Sequence, residues 1–227
     1  MVVCRDRRAD HIRAVLRVAP GESIRIGVID GPLGVGTVQH VDEESVTLRC
    51  VLENAPPSIP RVDLLLALPR PKVLKRLWAP LASLGVGHIV LTNAAKVERN
   101  YFDTHWLQPE AYRPLLVEGL QQAGDTRLPK VTICRRLRPF VEDDLPRLFP
   151  DPMRLVADPT GEARMHDIDF RPDQRVLIAV GPEGGWIPFE LEMLGAAGFQ
   201  TVRIGPRILR SDTACLVLLA MIQDRLA

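Results

Sequence analysis

Two short segments near the end of the sequence hold the residue types and spacings that could do chemistry. The run Gly181-Pro-Glu-Gly-Gly-Trp186 sets three glycines around one acid, Glu183, with the look of a buried carboxylate. Glycines there let the backbone pass close to a ligand and offer it N–H groups. The second run is Gly205-Pro-Arg-Ile-Leu-Arg210, followed by Ser211-Asp-Thr-Ala214 and a strongly apolar stretch. Ser211, Asp212 and Thr213 are helix N-cap types. Capping leaves Arg207 and Arg210 unexplained, and a guanidinium suits a phosphate or a carboxylate.

Several chemistries are excluded. Neither run matches a phosphate-binding loop or a dinucleotide fingerprint, so a nucleoside triphosphate or nicotinamide cofactor is not indicated. There is no His-Glu-x-x-His and no nucleophile elbow. Cys4, Cys50, Cys134 and Cys215 form no Cys-x-x-Cys pair, so neither a metal site nor a disulfide framework is expected. Cys215 falls in an apolar helical run and reads as a small core residue.

The elements that must position these runs alternate. Val62–Leu68, His88–Leu91, Val131–Arg135, Met153–Ala157, Arg175–Val180 and Gln200–Ile204 read as strands. Lys72–Leu84, Pro109–Ala123, Phe189–Ala197 and Ser211–Leu226 read as helices between or after them. That rhythm predicts an α/β domain on a mostly parallel sheet, whose ligands bind outside the carboxyl ends of the strands. Both chemical runs follow such ends. Upstream, Arg7–Val18 reads as a helix with Ile12, Val15 and Leu16 on its apolar face. Ser23–Ile29, Val35–Val41 and Ser45–Leu52 predict a small antiparallel sheet or barrel. The tract Ala55-Pro-Pro-Ser-Ile-Pro60 reads as a linker. The expected division is 1–58 and 59–227, with no internal repeat.

A 46% hydrophobic, 25% charged composition excludes a disordered chain, and a formal charge of +1 leaves the partner class open. Distribution says more than the total. Arg5, Arg7, Arg8, Arg13 and Arg17 crowd the start against Asp6 and Asp10, and Arg135, Arg136 and Arg138 form a second group. Such a run is either a solvated face or a phosphate-contacting one. No apolar stretch is long enough to span a bilayer, and the Arg-rich start lacks a signal peptide's apolar segment, so a cytoplasmic protein is expected.

Gly181-Pro-Glu-Gly-Gly185 together with Gly205-Pro-Arg-Ile-Leu-Arg210-Ser-Asp-Thr-Ala214 resembles the paired signature of the RsmE family. These are bacterial methyltransferases acting on a uracil N(3) of 16S ribosomal RNA, within the SPOUT superfamily. At lower strength the resemblance continues through His11–Arg17, Leu84-Gly-Val86, and Gln122, Gly124, Arg127 and Pro129. Ser83 and Asp125 depart from it, replacing a usual acid and a usual arginine. The family's extra first strand, with an arginine and an aromatic, is expected to be missing here.

The resemblance implies a PUA-like RNA-binding barrel followed by a SPOUT α/β domain with a C-terminal trefoil knot. It implies S-adenosylmethionine held by Val180, Gly181, Pro182, Glu183, Gly184, Ile204, Gly205, Pro206, Ile208, Leu209, Thr213 and Ala214. It implies RNA contacts from Arg8, His11, Arg13, Arg17 and Arg127, and catalytic work by Arg207, Arg210 and Glu183. No metal is implied. A homodimer is expected, because the closing helix carries Leu216, Val217, Leu219, Ala220 and Met221 and is apolar nearly all round. Two other readings keep less of the resemblance. One is the same fold acting on another nucleoside or a ribose 2′-hydroxyl, and the other is a non-catalytic RNA-binding ribosome-assembly protein.

Overall fold

The computed structural model describes residues 1–171 and 173–226. Pro172 and Ala227, the latter the last residue of the expected second domain, lie outside the described residues. The chain forms two compact units, one of residues 1–58 with 124–127, the other of 59–123 with 128–227.

The first unit is an antiparallel sheet in the order β1-β4-β3-β2, made of β1 (Val2–Cys4), β2 (Ser23–Gly27), β3 (Leu33–Val41) and β4 (Val46–Leu52). The strand Val2–Cys4 is not among those expected from the sequence pattern. Helix α1 (Arg7–His11) is capped by Asp6, whose carboxylate accepts from the Arg8 N–H at 3.0 Å. The expected single helix to Val18 is not formed. Ile12–Leu16 is a π turn, and Arg17 ends it in the left-handed region at φ 54°. A π turn places residues at different angles from an α-helix. Ala9 and Ile12 therefore reach the small core with Cys4, Val38, Val46 and Leu48, while Val15 is left 64% exposed. Gly124–Arg127 lies against this unit: Thr126 Oγ1 donates to the Gly31 carbonyl at 2.6 Å, and Arg127 Nε to that of Pro57 at 2.7 Å.

The second unit is built on a seven-stranded sheet, all of whose paired strands run parallel. In chain order it contains β5 (Val62–Ala67), α2 (Pro71–Ser83), β6 (Val86–Thr92), α3 (Pro109–Ala123) and β7 (Lys130–Cys134). There follow α4 (Leu137–Pro139), a π turn Phe140–Asp144, α5 (Leu145–Leu148), β8 (Met153–Ala157) and β9 (Ala163–Arg164). Then come β10 (Val176–Val180), α6 (Pro188–Ala196), β11 (Gln200–Arg203) and α7 (Ser211–Leu226). Every residue of β5 and β10 is buried, as the apolar residues of strands covered on both faces must be, with Asp63 the one charged residue among them.

Strand order is β7-β6-β5-β10-β8-β11-β9. After β5 the chain builds outward to β7, then starts again with β8 and β9 on the other side. β10 inserts between β5 and β8, and β11 between β8 and β9. Because the strands are parallel, all their carboxyl ends share one edge.

The opposite edge holds an ion pair of which one partner is buried. Asp63, fully buried, is gripped by Arg175 through Nε–Oδ2 at 2.5 Å and Nη2–Oδ1 at 2.8 Å. Burial still pushes its carboxyl above the usual range. Nearby, His88 shares a hydrogen bond with Thr132 Oγ1 at 2.8 Å. Burial, then the charges of Lys130 and Arg175, hold His88 down at about 4 against 6.5. The unfolded chain therefore binds a proton at His88 that the folded chain refuses. That part of the stability is present above pH 6.5 and is lost as pH falls toward 4, at no more than about 1.4 kcal/mol for each pH step of one. Denaturant melts of the wild type and His88→Gln across this range are expected to converge at the acid end. Parallel curves would remove His88 from the account.

Candidate active site

At the carboxyl edge, β10 runs into residues 181–187 and β11 into residues 204–210. The Gly-rich loop closes on itself, with the Gly185 N–H donating to the Pro182 carbonyl at 2.8 Å. Gly185 sits at φ 70°, where a side chain is strained. Val180, Gly181 and Pro182 are buried, whereas Glu183 is exposed. The expected buried setting for that acid is corrected: one Glu183 oxygen accepts the backbone N–H of Arg70 at 3.3 Å, on the loop after β5.

Gly184 is constrained by a neighbour that no sequence pattern points to. A Cβ there would come within 2.7 Å of Lys96 Cδ, and Lys96 Nζ donates to the Gly184 carbonyl at 2.6 Å. Lys96 belongs to the loop after β6. A second tie joins the same two loops. Glu190 is 5% exposed, and its carboxylate accepts from the Ala95 N–H at 2.7 Å and the Ile187 N–H at 3.0 Å. The second bond closes the first turn of α6, which begins with Pro188. Glu190 thus caps one helix and fastens a neighbouring loop. Its signal is present in the sequence, as a Glu two residues after a helix-starting proline.

In the second loop Ile204, Gly205 and Leu209 are partly buried, while Pro206, Arg207, Ile208 and Arg210 are exposed. Nothing lies within 4 Å of where a Gly205 Cβ would stand, so open space adjoins the backbone as it leaves β11. The Arg210 carbonyl accepts the Ala214 N–H at 2.8 Å, starting α7, with Thr213 exposed and Ala214 half-buried. Asp212 pairs with Arg76 of α2 at 3.1 Å rather than with a neighbouring loop arginine. Among the described residues, the side chains of Arg207 and Arg210 have no hydrogen-bonding or ionic partner. The two loops are separated by β8, whose end is fastened to β11 by the Asp158 N–H donating to the Val202 carbonyl at 3.0 Å.

The basic start of the chain is only partly free. Arg8 is paired with Asp6 at 2.9 Å, and Arg13 is held by Asp10 at 2.5 Å and by the carbonyls of Asp42 and Glu43. His11 and Arg17 are exposed. Arg127 is turned to Pro57. Among the described residues there is no cluster of three or more His, Cys, Asp or Glu able to hold a metal ion, and no helix is long and apolar enough to cross a membrane.

Among solved structures, the ribosomal RNA small subunit methyltransferase E of Neisseria gonorrhoeae bound to S-adenosyl methionine superposes with a TM-score of 0.79. It is 22% identical, over 98% of this chain and 91% of that one. The SpoU methyltransferase AviRb of Streptomyces viridochromogenes shares the fold more distantly, at TM-score 0.51 and 17% identity over 81% of this chain and 68% of that one. The ribosomal RNA small subunit methyltransferase E of Treponema pallidum is 31% identical across 95% of this chain and 84% of its own length. The RNA methyltransferase domain family matches residues 56–223, a span that takes in both loops. On that match and that relative, this chain belongs to the ribosomal RNA small subunit methyltransferase E family of RNA methyltransferases.

Proposed function

We propose that the chain transfers the methyl group of S-adenosylmethionine to N(3) of a uridine in 16S ribosomal RNA. The observation carrying this is the pair of loops at one sheet edge, inside the span that matches the family. The residues fit the donor: Gly185 and Gly205 leave open space beside the backbone, and Val180, Leu209 and Ala214 supply apolar walls. The backbone of 180–184 and 204–209 would hold its adenine and ribose, with Thr213 at the start of α7. S-adenosylmethionine supplies an electrophilic methyl group for in-line displacement, so alignment is the chief task of the site. Uracil N(3) must lose a proton before it attacks. Glu183 would accept it or orient the base edge, and a guanidinium from Arg207 or Arg210 would offset charge developing on a base oxygen.

Residues 1–58 would form a PUA-like RNA-binding barrel and 59–227 a SPOUT domain with a C-terminal trefoil knot. The insertion of β10 and β11 between earlier strands supports the knot, since a chain end threaded through a loop produces that order. The cytoplasm, where ribosomal RNA is made, is the expected compartment. With Arg8 and Arg13 engaged, phosphate contact falls mainly to Arg5, Arg7 and Arg17. Changing these three to Ala is expected to weaken RNA binding and flatten its salt dependence without altering cofactor affinity. An unchanged salt slope would make this a solvated face only.

A homodimer through α7 completes the reading. Cys215, Leu218, Leu219 and Ile222 are buried within the chain, and burial pushes the Cys215 thiol up to about 12. Leu216, Val217, Ala220 and Met221 form the opposite stripe at helical spacing and are incompletely covered. Of the apolar residues named for this helix, Leu219 faces the core of its own chain. Leu216→Asp is expected to yield folded monomers by light scattering, and a wild type that is already monomeric at micromolar concentration ends the idea.

The acceptor is tested by mass spectrometry of ribosomal RNA from cells with and without the protein, beside calorimetric titration with S-adenosylmethionine. A uridine methylated at N(3) only in its presence is the expected result. A methylated ribose or another base would replace the acceptor, and no heat of binding would leave a non-catalytic RNA binder.

A further inference from the structure

The carboxyl edge contains cations other than the two in the Arg-containing loop. Arg70 leaves β5 at the point where strand order reverses: β5, β6 and β7 extend one way, and β10 lies on the other side. In an open parallel sheet that reversal is where a ligand crevice forms. Arg70 is exposed, and its own N–H carries the hydrogen bond to Glu183 described above. Its position is therefore registered to the candidate general base through the main chain.

Its side chain has a neighbour that can orient it. Tyr101, in the 3-10 turn Arg99–Asp103, is 9% exposed. The Tyr101 hydroxyl donates to Glu98 Oε1 at 3.0 Å. Burial, then Glu98, pushes the Tyr101 hydroxyl above its ordinary value, and the nearby Arg70 guanidinium pulls the other way. The hydroxyl can give its proton to Glu98 and offer a lone pair toward Arg70. A guanidinium has five N–H donors in a fixed fork, so contact with one hydroxyl leaves most of the fork available.

We propose that Arg70 is a further substrate-contacting residue, whose guanidinium, oriented by Tyr101 and Glu98, binds an oxygen of the acceptor nucleotide beside Glu183. This rests on the proposed RNA methylation and adds a residue to its site. The oxygen belongs either to a phosphate of the RNA backbone or to a carbonyl of the target base, and a cation serves both. Glu183 and Arg70 then stand as a base and a cation on adjacent strand ends, β10 and β5. Arg207 and Arg210 lie beyond β8.

The test compares Arg70→Ala, Tyr101→Phe and the double variant in the full-length protein. Small-subunit RNA and S-adenosylmethionine are the probes. Arg70→Ala is expected to lower the single-turnover rate or the RNA affinity by about a hundredfold, the scale of one lost charge-stabilising donor. Its S-adenosylmethionine affinity and melting temperature should stay near wild type. If the oxygen is a phosphate, RNA affinity falls and its salt slope flattens. If it is a base carbonyl, RNA affinity holds while the rate falls and its pH profile moves to higher pH.

Tyr101→Phe is expected to give a smaller loss that vanishes in the Arg70→Ala background, because the hydroxyl acts through Arg70. Additive losses, parallel loss of cofactor affinity, or a rate and RNA affinity within threefold of wild type would each overturn the proposal. A wild type that binds this RNA but leaves it unmethylated refutes the proposed reaction instead. In that event Arg70 is judged by RNA affinity alone, and an unchanged affinity overturns its role.

Discussion

Arg210→Ala is expected to lower single-turnover methylation by roughly two to three orders of magnitude, the usual effect of deleting one donor that stabilises developing charge. Cofactor affinity should stay within a few-fold of wild type. The structural ground is what Arg210 does not touch. A guanidinium serving as a brace would be paired, and the natural partner two residues on, Asp212, is already engaged by Arg76. With no partner among the described residues, the Arg210 side chain can be removed without orphaning a buried group, so the melting temperature should hardly change. Titration calorimetry and a rate measured on the same folded variant decide the matter. Parallel losses of affinity, rate and stability would mean the arginine holds the loop together.

The second large effect is expected at Glu190, and it should appear in stability. Glu190→Ala leaves the Ala95 and Ile187 N–H groups without their acceptor. Ala95 is exposed and Ile187 partly buried, so water replaces part of each bond and the loss is about 0.5–1.5 kcal/mol apiece. In a protein of this size each kcal/mol lowers the melting temperature by about 2–4 °C. Glu190→Gln separates charge from geometry. Its amide oxygen can serve one N–H, while its NH2 meets the other as donor against donor. The Gln variant should therefore fall between wild type and Ala. Cofactor affinity should drop with stability in both, because the Gly-rich loop loses one of its two ties to the loop after β6. If Gln equals wild type, one of the two bonds carries no weight.

The elements around the site are legible largely from pattern. Ser211–Leu226, Pro109–Ala123 and Met153–Ala157 match the elements formed, and the other expected α/β elements differ by a residue or two at their ends, where hydrophobic period fixes the type of element better than its bounds. The expected parallel sheet follows from that alternation. Its strand order does not, because nothing in the period of Val176–Val180 says which strands flank it.

The segment from Leu137 to Leu148 is not legible in this way, because two prolines and an acidic π turn divide it into pieces too short for a periodic signal. The glycine spacing points correctly to a tight loop, yet part of the reason for Gly184 lies 88 residues away, in the stem of Lys96. Arg13 and Arg127 illustrate the same limit. Sequence shows a charge but not the backbone carbonyls that claim it, and both are held that way. Lys96 is a single cation, and Arg70 is the first of a basic run with Lys72, Lys75 and Arg76, so neither carries the glycine-flanked spacing that marks out the loop arginines.

The strand order also governs how the chain can fold. β10 is among the last strands synthesised, yet its place is the middle of the sheet, between β5 and β8. Asp63 and Arg175, which meet at the start of those strands, are 112 residues apart in sequence. Until β10 arrives, β5 and β8 must each present an unpaired, mostly apolar edge, the kind of surface that invites other chains to pair with it. Closing so long a loop carries its entropy cost before any central contact forms, which places the rate of assembly among the slow α/β folders. A chain stalled before residue 176 has lost the Gly-rich loop along with the strand that carries it. What accumulates from interrupted synthesis is therefore an aggregation-prone precursor with no site at all, rather than a weakened enzyme.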